Sequence, residues 1–155
     1  MKNDIVNEEE KQTEEDPALR YYRRCKEKNS LLLPIFDKIF KKCLTLQDYM
    51  LNEGHCLGIA EACEFIDHQK MNRVLLSNCG LSGDNFATIL EGLAKIRDFK
   101  SIIYKLNEMN SRAVQCLRPL FEKNIPNQLN ELEIIDCRID SSVLEELLST
   151  MIEGC

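Results

Sequence analysis

The sequence predicts an α/β fold in which short parallel strands alternate with helices. One spacing of apolar residues occurs four times, in stretches that begin at residues 41, 71, 99 and 129, so successive copies start 30, 28 and 30 residues apart. Inside each copy the apolar spacing changes from every second residue to a helical period, which indicates a strand followed by a helix. Units of this size cannot bury an apolar face alone, so we expect them to stack side by side.

Residues 17–40 precede the first copy, and we expect them to form an N-terminal helical cap or a degenerate repeat. Pro17 suits the first position of a helix. Leu19, Tyr22 and Cys25 are placed on one face of a helix that runs to about Lys28. Residues 1–16 hold seven acids and two lysines, and we expect them to form a disordered acidic tail.

The strands are predicted from apolar residues at positions 1, 4, 6 and 11 of each copy, with cysteine or asparagine at position 9. The clear copies are MNRVLLSNCGL (71–81), FKSIIYKLNEM (99–109) and LNELEIIDCRI (129–139). The first copy, KKCLTLQDYML (41–51), departs from the pattern with Lys41 at position 1 and Tyr49 at position 9. Terminal units of stacked folds are commonly atypical in this way.

The helices are predicted from apolar residues at helical spacing after each strand. In chain order these are Cys56, Ile59 and Cys63; Phe86, Leu90 and Leu93; Val114, Leu117 and Phe121; and Leu144, Leu147, Leu148 and Met151. Pro119 lies inside the third of these helices, where it should bend or end the helix. Pro126, in the segment KNIPNQ (123–128), should stop any helix before the last strand.

Charge and composition argue against several classes of protein. The net charge is −6, of which residues 17–155 carry only −1, and this near neutrality argues against a nucleic-acid partner. No apolar run has the roughly 18 to 20 residues of a membrane span, and the acidic N-terminus lacks a secretion signal. A cytoplasmic protein with reduced cysteines is therefore expected.

We expect no catalytic, cofactor or metal site, and hence no enzyme. The eight cysteines include no C-x-x-C pair and no zinc-ligand spacing with the two histidines. A catalytic pair of His55 and Cys56 is conceivable, but Cys56 holds a core position in its helix, so a capping or solvated role is expected for His55 and for His68. GLSGDN (80–85) lacks the lysine of a phosphate loop; Ser82, Asp84 or Asn85 should cap a helix there.

The four copies resemble the leucine-rich repeat family, whose core pattern is L-x-x-L-x-L-x-x-[N/C]-x-L. Their length and helical second half resemble its ribonuclease-inhibitor-like class. The resemblance covers residues 41–155 and implies the repeats 41–70, 71–98, 99–128 and 129–155. It implies a solenoid in a short arc, with a parallel sheet on the concave face and helices on the convex face.

Position 9 lies where the chain leaves the strand and turns, so backbone groups there lack sheet partners inside the core. An asparagine can bind them, since buried backbone polar groups need partners. A cysteine is small, tolerates burial and has a weak S–H donor. Cys79 and Cys137 are therefore interpreted as structural residues.

The outward strand positions predict a protein-binding surface on the concave face. Its apolar residues are expected to be exposed, and charged residues should surround them, as in protein interfaces. The apolar residues are Leu75, Ile103, Leu106 and Ile135, and the charged residues are Lys105, Glu131, Glu133 and Asp136. The alternative is that these side chains contact one another or cover a sheet edge.

The resemblance implies a non-catalytic interaction or scaffold module, held as one subunit of a larger multi-protein complex. A Tyr/Cys helix, a proline segment and then CLTLQDYML are similar to leucine-rich-repeat proteins of cilia and flagella. This implies an axonemal assembly with tubulin or microtubule-associated proteins as partners. The alternative function is regulation of an enzyme, as by a ribonuclease inhibitor or a Ran-type GTPase-activating protein.

Two further segments are candidate contact sites for a partner. RYYRRCKEK (20–28) has five bases and one acid and could dock on an acidic surface such as tubulin or RNA, although a solvated helix face is the alternative. At the other end, Cys155 follows the last helix with no polar capping unit after it. Since uncovered solenoid ends are unstable, we expect a partner or a continuing sequence there.

Overall fold

A computed structural model describes residues 16–35, 43–66, 71–96, 99–122 and 129–154. After an initial helix, four strands and four further helices alternate along these residues. In chain order they are α1 (Pro17–Glu27), β1 (Cys43–Gln47), α2 (Glu53–Cys63), β2 (Arg73–Ser77), α3 (Gly83–Leu93), β3 (Ser101–Lys105), α4 (Ser111–Phe121), β4 (Glu131–Ile135) and α5 (Ser141–Gly154).

The four strands form one parallel sheet in the order β1-β2-β3-β4. Every strand occupies positions 3 to 7 of its copy, and equivalent positions pair across the sheet, as Leu44 with Val74, Val74 with Ile102, and Ile102 with Leu132. A helix supplies each crossover between parallel neighbours. The predicted α/β alternation is therefore confirmed.

The core lies between one face of the sheet and the helices. Strand residues at positions 4 and 6 enter it, and Leu46, Leu76 and Tyr104 are fully buried. The rings of Tyr104 and Phe86 stack with their centroids 3.7 Å apart, which joins β3 to α3. In the last unit the equivalent strand residues are only partly buried, since β4 is the last strand among the described residues.

Position 12 of each copy begins the helix that follows the strand. The side chains of Asn52, Ser82 and Asn110 each accept a backbone N–H from three residues further on. These contacts satisfy donors that a helix start leaves free. Of the three predicted candidates in GLSGDN, Ser82 is the cap.

Helix α1 differs from the prediction in its buried face. Asp16 belongs to this helix rather than to a tail, because its side chain accepts the N–H of Ala18 at 2.9 Å. The fully buried residues are Tyr21 and Cys25, whereas Leu19 is 36% exposed. The reason is tertiary: Gly58 of α2 has no side chain, and a Cβ there would lie 2.8 Å from the Tyr21 ring.

Helix α4 contains Pro119 and ends two residues later, at Phe121, in agreement with the predicted effect of proline. Expectations for residues 1–15, Lys41, His68, Pro126 and Cys155 lie outside the described residues. Across the described ranges, no helix combines the length and the apolar character needed to cross a bilayer.

A candidate protein-binding groove where the strands end

Asn107 closes the turn after β3 with four hydrogen bonds. Its side-chain oxygen accepts the backbone N–H groups of Cys79, at 2.9 Å, and Leu81, at 3.2 Å. Its side-chain nitrogen donates to the carbonyls of Leu76, at 3.3 Å, and Lys105, at 2.7 Å. One buried amide therefore joins the second unit to the third.

The cysteines at position 9 of the other units make only the donor contacts, from the S–H group to backbone carbonyls. The Sγ of Cys79 lies 3.3 Å from the carbonyl oxygens of Leu46 and Ser77. The Sγ of Cys137 lies 3.4 Å from those of Tyr104 and Ile135. In each case one carbonyl belongs to the preceding unit and one to the same unit, so the structural interpretation of these cysteines is confirmed.

Burial makes the core thiols poor nucleophiles, because the thiolate is the reactive form. Burial raises the pKa of Cys56 and of Cys63 to about 12. It also raises the pKa of Cys137, although nearby backbone hydrogen bonds oppose the shift. These three thiols are not activated for catalysis.

We expect the free energy of unfolding to fall between about pH 8.5 and pH 12. Below an unfolded-state thiol pKa of about 8.5, folded and unfolded chains hold the same protons at Cys56 and Cys63. Above it only the unfolded chain ionises, which removes up to about 1.4 kcal/mol per pH unit for each thiol. Denaturant titrations at a series of pH values test this; the slope should flatten in a Cys56→Ala, Cys63→Ala double variant, and a wild-type profile that stays level contradicts it.

His55 has a capping role, as one of its two predicted interpretations states. Its Nδ1 accepts the backbone N–H of Asn52 at 3.0 Å, which completes a capping box at the start of α2. Its Nε2 lies 2.6 Å from the Leu31 carbonyl and donates to it when Nδ1 is an acceptor. The side chain is only 3% exposed, so a solvated role is wrong, and no ring nitrogen is left to activate Cys56.

The residue at position 8 of every unit has a left-handed backbone. The φ angles are +59° at Asp48, +50° at Asn78, +53° at Leu106 and +51° at Asp136. Aspartate and asparagine tolerate this conformation, but a bulky residue does so rarely and at a cost. Leu106 is nevertheless 55% exposed, so neither its backbone nor its environment favours leucine.

A groove of about 530 Å³ runs along the carboxyl ends of the strands, beside Leu106. We call it the strand-end groove. It has apolar and polar lining residues from all four units: Met50, Asn78, Gly80, Leu81, Leu106, Asn107, Glu108, Asp136, Cys137 and Arg138.

Gly80 leaves space for the Met50 side chain at the wall of the strand-end groove. Gly80 has a φ of +62°, and a Cβ there would lie 2.8 Å from the terminal methyl of Met50. Met50 is itself 76% exposed. On the other side, a guanidinium nitrogen of Arg138 lies 3.4 Å from a carboxylate oxygen of Glu108. The groove thus has an apolar residue at one end and an ion pair at the other.

The predicted binding residues do not form one patch. Leu106 and Asp136 line the strand-end groove, and the N–H of Leu106 donates to the carbonyl of Ile135 at 3.1 Å. Ile135 is 37% exposed. These three residues lie together.

The other predicted residues are separated from the groove. Leu75 and Ile103 are half-buried rather than exposed, because they pair in register and cover each other. Lys105 is also half-buried, while Glu133 is exposed on β4. Glu131 stands at the opposite end of that strand, where it accepts a hydrogen bond from Ser101 at 2.7 Å.

Met50 and Arg138 are groove residues that the sequence interpretation missed. Both occupy position 10 of their copies, next to the structural position 9. The copy alignment could have found them, because equivalent positions in stacked units lie in one row.

Over the ranges that the structure describes, no group of three or more His, Cys, Asp or Glu side chains could hold a metal ion. The strand-end groove presents one strained apolar residue, Leu106, beside the charged side chains of Glu108, Asp136 and Arg138. No protein-family model matches the chain and no curated sequence is significantly similar to it.

Proposed function

We propose that this chain is a non-catalytic protein-interaction module built as a leucine-rich-repeat solenoid, and that it binds a partner protein through the strand-end groove. The repeated strand positions and the Asn or Cys at position 9 support the repeat assignment. A parallel sheet with one row of helices presents a continuous surface that single units lack. A role as one subunit of a larger assembly fits such a surface.

The observation that carries the proposal is Leu106. The equivalent residues in the other units are Asp48, Asn78 and Asp136, which suit the left-handed backbone. A leucine here adds strain and exposes an apolar side chain to water, and both effects oppose the stability of the isolated chain. A partner that buries Leu106 accounts for its presence, since strained residues concentrate at functional sites.

The surroundings of Leu106 support a protein partner. Met50 and Ile135 add exposed apolar surface, and Asp136 and Arg138 add charge at the edge of the groove. An apolar centre with a polar margin is typical of protein interfaces. The resemblance to ciliary proteins makes tubulin or microtubule-associated proteins of the axoneme the partner class to test first.

Replacing Leu106 by asparagine should stabilise the chain and weaken partner binding at the same time. The backbone strain removed is worth about 1 kcal/mol, so the midpoint of urea unfolding should rise. Recovery of axonemal partners from a ciliary extract, measured by quantitative mass spectrometry, should fall by about tenfold or more if Leu106 is a binding hot spot.

Two controls accompany this variant. Asn78→Leu places leucine on the same backbone conformation one unit earlier and should lower the unfolding midpoint. Gln47→Ala changes an exposed residue outside the groove and should leave recovery unchanged. Unaltered recovery with Leu106→Asn would contradict the groove as the binding site.

A second candidate function is activation of a GTPase, and Arg138 favours it. Its side chain is 85% exposed at the edge of the groove, and GTPase activation in trans uses an arginine near the transferred phosphate. The test is the rate of GTP hydrolysis by a Ran-type GTPase with the wild-type chain and with Arg138→Ala. Acceleration that the variant loses would favour this function over a scaffold role.

A further inference from the structure

The last unit has an apolar face that the earlier units bury. Position 16 is occupied by Cys56, Phe86 and Val114, each 0% exposed, whereas the equivalent Leu144 is 45% exposed. Leu148 and Ile152 follow at intervals of four residues and are 51% and 76% exposed. Residues at this spacing share one side of a helix.

This side of α5 points away from the rest of the chain. Glu146 accepts a hydrogen bond from Ser111 of α4, and a Cβ on Gly154 would lie 2.6 Å from Phe121 of α4. Leu148 is two residues after Glu146, which is about 200° around the helix. Leu144, Leu148 and Ile152 therefore lie opposite α4; with Glu145 they form what we call the C-terminal face.

The C-terminal face is acidic at its margins. Glu145 is exposed on the same helix, and Glu133, Asp136 and Asp140 are exposed on β4 and the turn that follows. Two of the described cations close to this unit are already paired: Arg138 with Glu108, and Arg118 of α4 with Glu153 of α5. Within the described residues Glu145 has no ion-pair partner. The occupant of this face should therefore combine apolar and basic side chains.

Exposed apolar and basic side chains occur together at the N-terminal end of the described residues. A pocket on the outer side of α1 is lined by Leu19, Tyr22, Arg23, Lys26, Asn29, Ser30, Leu31 and Leu32. Leu31 is 83% and Leu32 is 55% exposed, and Arg23 and Lys26 are exposed beside them. We call this pocket the N-terminal face.

The N-terminal face also points away from the body of the chain. The Sγ of Cys25 lies 3.8 Å from the Gly54 carbonyl, and Arg24 pairs with Glu61 of α2, so these residues define the inner side of α1. Leu19, Arg23 and Lys26 are on the other side of the helix. The two faces are thus at opposite ends of the row of helices.

We propose that the C-terminal face of one chain docks on the N-terminal face of a second copy, so that the molecules associate head to tail. Leucine side chains on both faces would bury apolar area, and Glu145 would meet Arg23 and Lys26. Pairing two C-terminal faces instead would bring acidic margins together, which like-charge repulsion disfavours. Because the contact is between different surfaces, it leaves one face free at each end and permits open chains of molecules.

Sedimentation of the whole chain over roughly 1 to 300 µM tests the proposal, a range suited to a contact of micromolar affinity. The weight-average mass should rise with concentration above the 18.0 kDa of one chain. The rise should be smaller at high salt, since exposed charge pairs are screened. A mass that stays at 18.0 kDa throughout the range would overturn the proposal.

Two variants with one blocked face each provide the sharper test. Leu148→Asp blocks the C-terminal face and Leu32→Asp the N-terminal face, so neither variant should associate with itself. Mixed together, they should form a discrete dimer, because one intact face of each kind remains. If Leu32→Asp alone still self-associates, or if the mixture stays monomeric, the head-to-tail arrangement is wrong.

Charge-reversal variants keep the test valid should an aspartate variant fail to fold. Glu145→Lys and Lys26→Glu each change an exposed residue and should each weaken association several-fold. A mixture of the two should associate again, because every contact between unlike variants has either the native or the swapped charge pair. Leu106→Asn should not alter association. Its effect on partner recovery therefore tests the strand-end groove separately from the faces.

Discussion

Replacing Asn107 by alanine is expected to lower the free energy of unfolding by about 3 to 5 kcal/mol. The buried amide makes four hydrogen bonds to backbone groups, two with N–H donors and two with carbonyls. Alanine removes the side-chain partner of the Cys79 and Leu81 N–H groups and of the Leu76 carbonyl, whereas the Lys105 carbonyl still accepts the N–H of Asn78 at 3.0 Å. Each buried unsatisfied group costs about 1 to 3 kcal/mol. Equilibrium unfolding in urea, followed by circular dichroism, measures the loss.

The matched control is Asn107→Cys, which installs the residue found in the neighbouring units. A thiol can donate to the carbonyls of Leu76 or Lys105 but cannot replace the amide oxygen that accepts from Cys79 and Leu81. The free energy of unfolding should therefore fall about half as much in Asn107→Cys as in Asn107→Ala, since cysteine restores only the contacts in which the side chain donates. Equal losses for cysteine and alanine would show that the donor contacts of position 9 contribute nothing to stability.

The second large effect is expected for Gly92→Ala. In an ordinary helix this substitution stabilises by about 0.5 to 1 kcal/mol. Here a Cβ would lie 2.5 Å from the Cα and 2.8 Å from the carbonyl oxygen of Ala60 in the adjacent helix. Because these are backbone atoms they cannot rotate away, so α2 and α3 must separate, and we expect a loss of about 1 to 3 kcal/mol from overpacking.

The urea midpoints of the wild type and Gly92→Ala provide the measurement. The control compares Ser149→Gly with Ser149→Ala at an exposed position of α5, where alanine should be the more stable by about 1 kcal/mol. If replacing glycine by alanine destabilises the chain at residue 92 but stabilises it at residue 149, the loss at residue 92 comes from the contact between α2 and α3 and not from intrinsic helix propensity. A stabilising effect of Gly92→Ala would show that the helices can move apart at little cost.

The strands and helices could be predicted because their signals are local and repeated. Positions 4 and 6 are apolar in all four copies, and the strands formed at these positions with equivalent residues paired. The role of Cys79 could also be predicted, since its place in the copy matches that of Asn107. A pattern that recurs four times can be recognised even where one copy departs from it. The leucine-rich-repeat assignment and the axonemal role stay predictions.

The binding residues were harder to predict because exposure depends on neighbours in space. Leu75 and Ile103 alternate as outward strand residues should, yet each is half-buried by the next strand. Met50 belongs to the groove because Gly80, 30 residues later, leaves space for it. Nothing local to Met50 shows that contact.

The repeated apolar spacing predicts that this chain is α/β and that positions 4 and 6 enter the core, and the recurrence of cysteine or asparagine at position 9 predicts which residues close the turns. Both signals can be recognised within each copy. The face that α1 buries depends on Gly58, which is distant in sequence; the predicted face holds for Cys25, whereas Tyr21 is buried in place of Leu19. The strain at Leu106 is a property of its backbone angle and not of its neighbours in the chain. The candidate sites depend on contacts and conformations of this kind, and these exist only once the units are stacked.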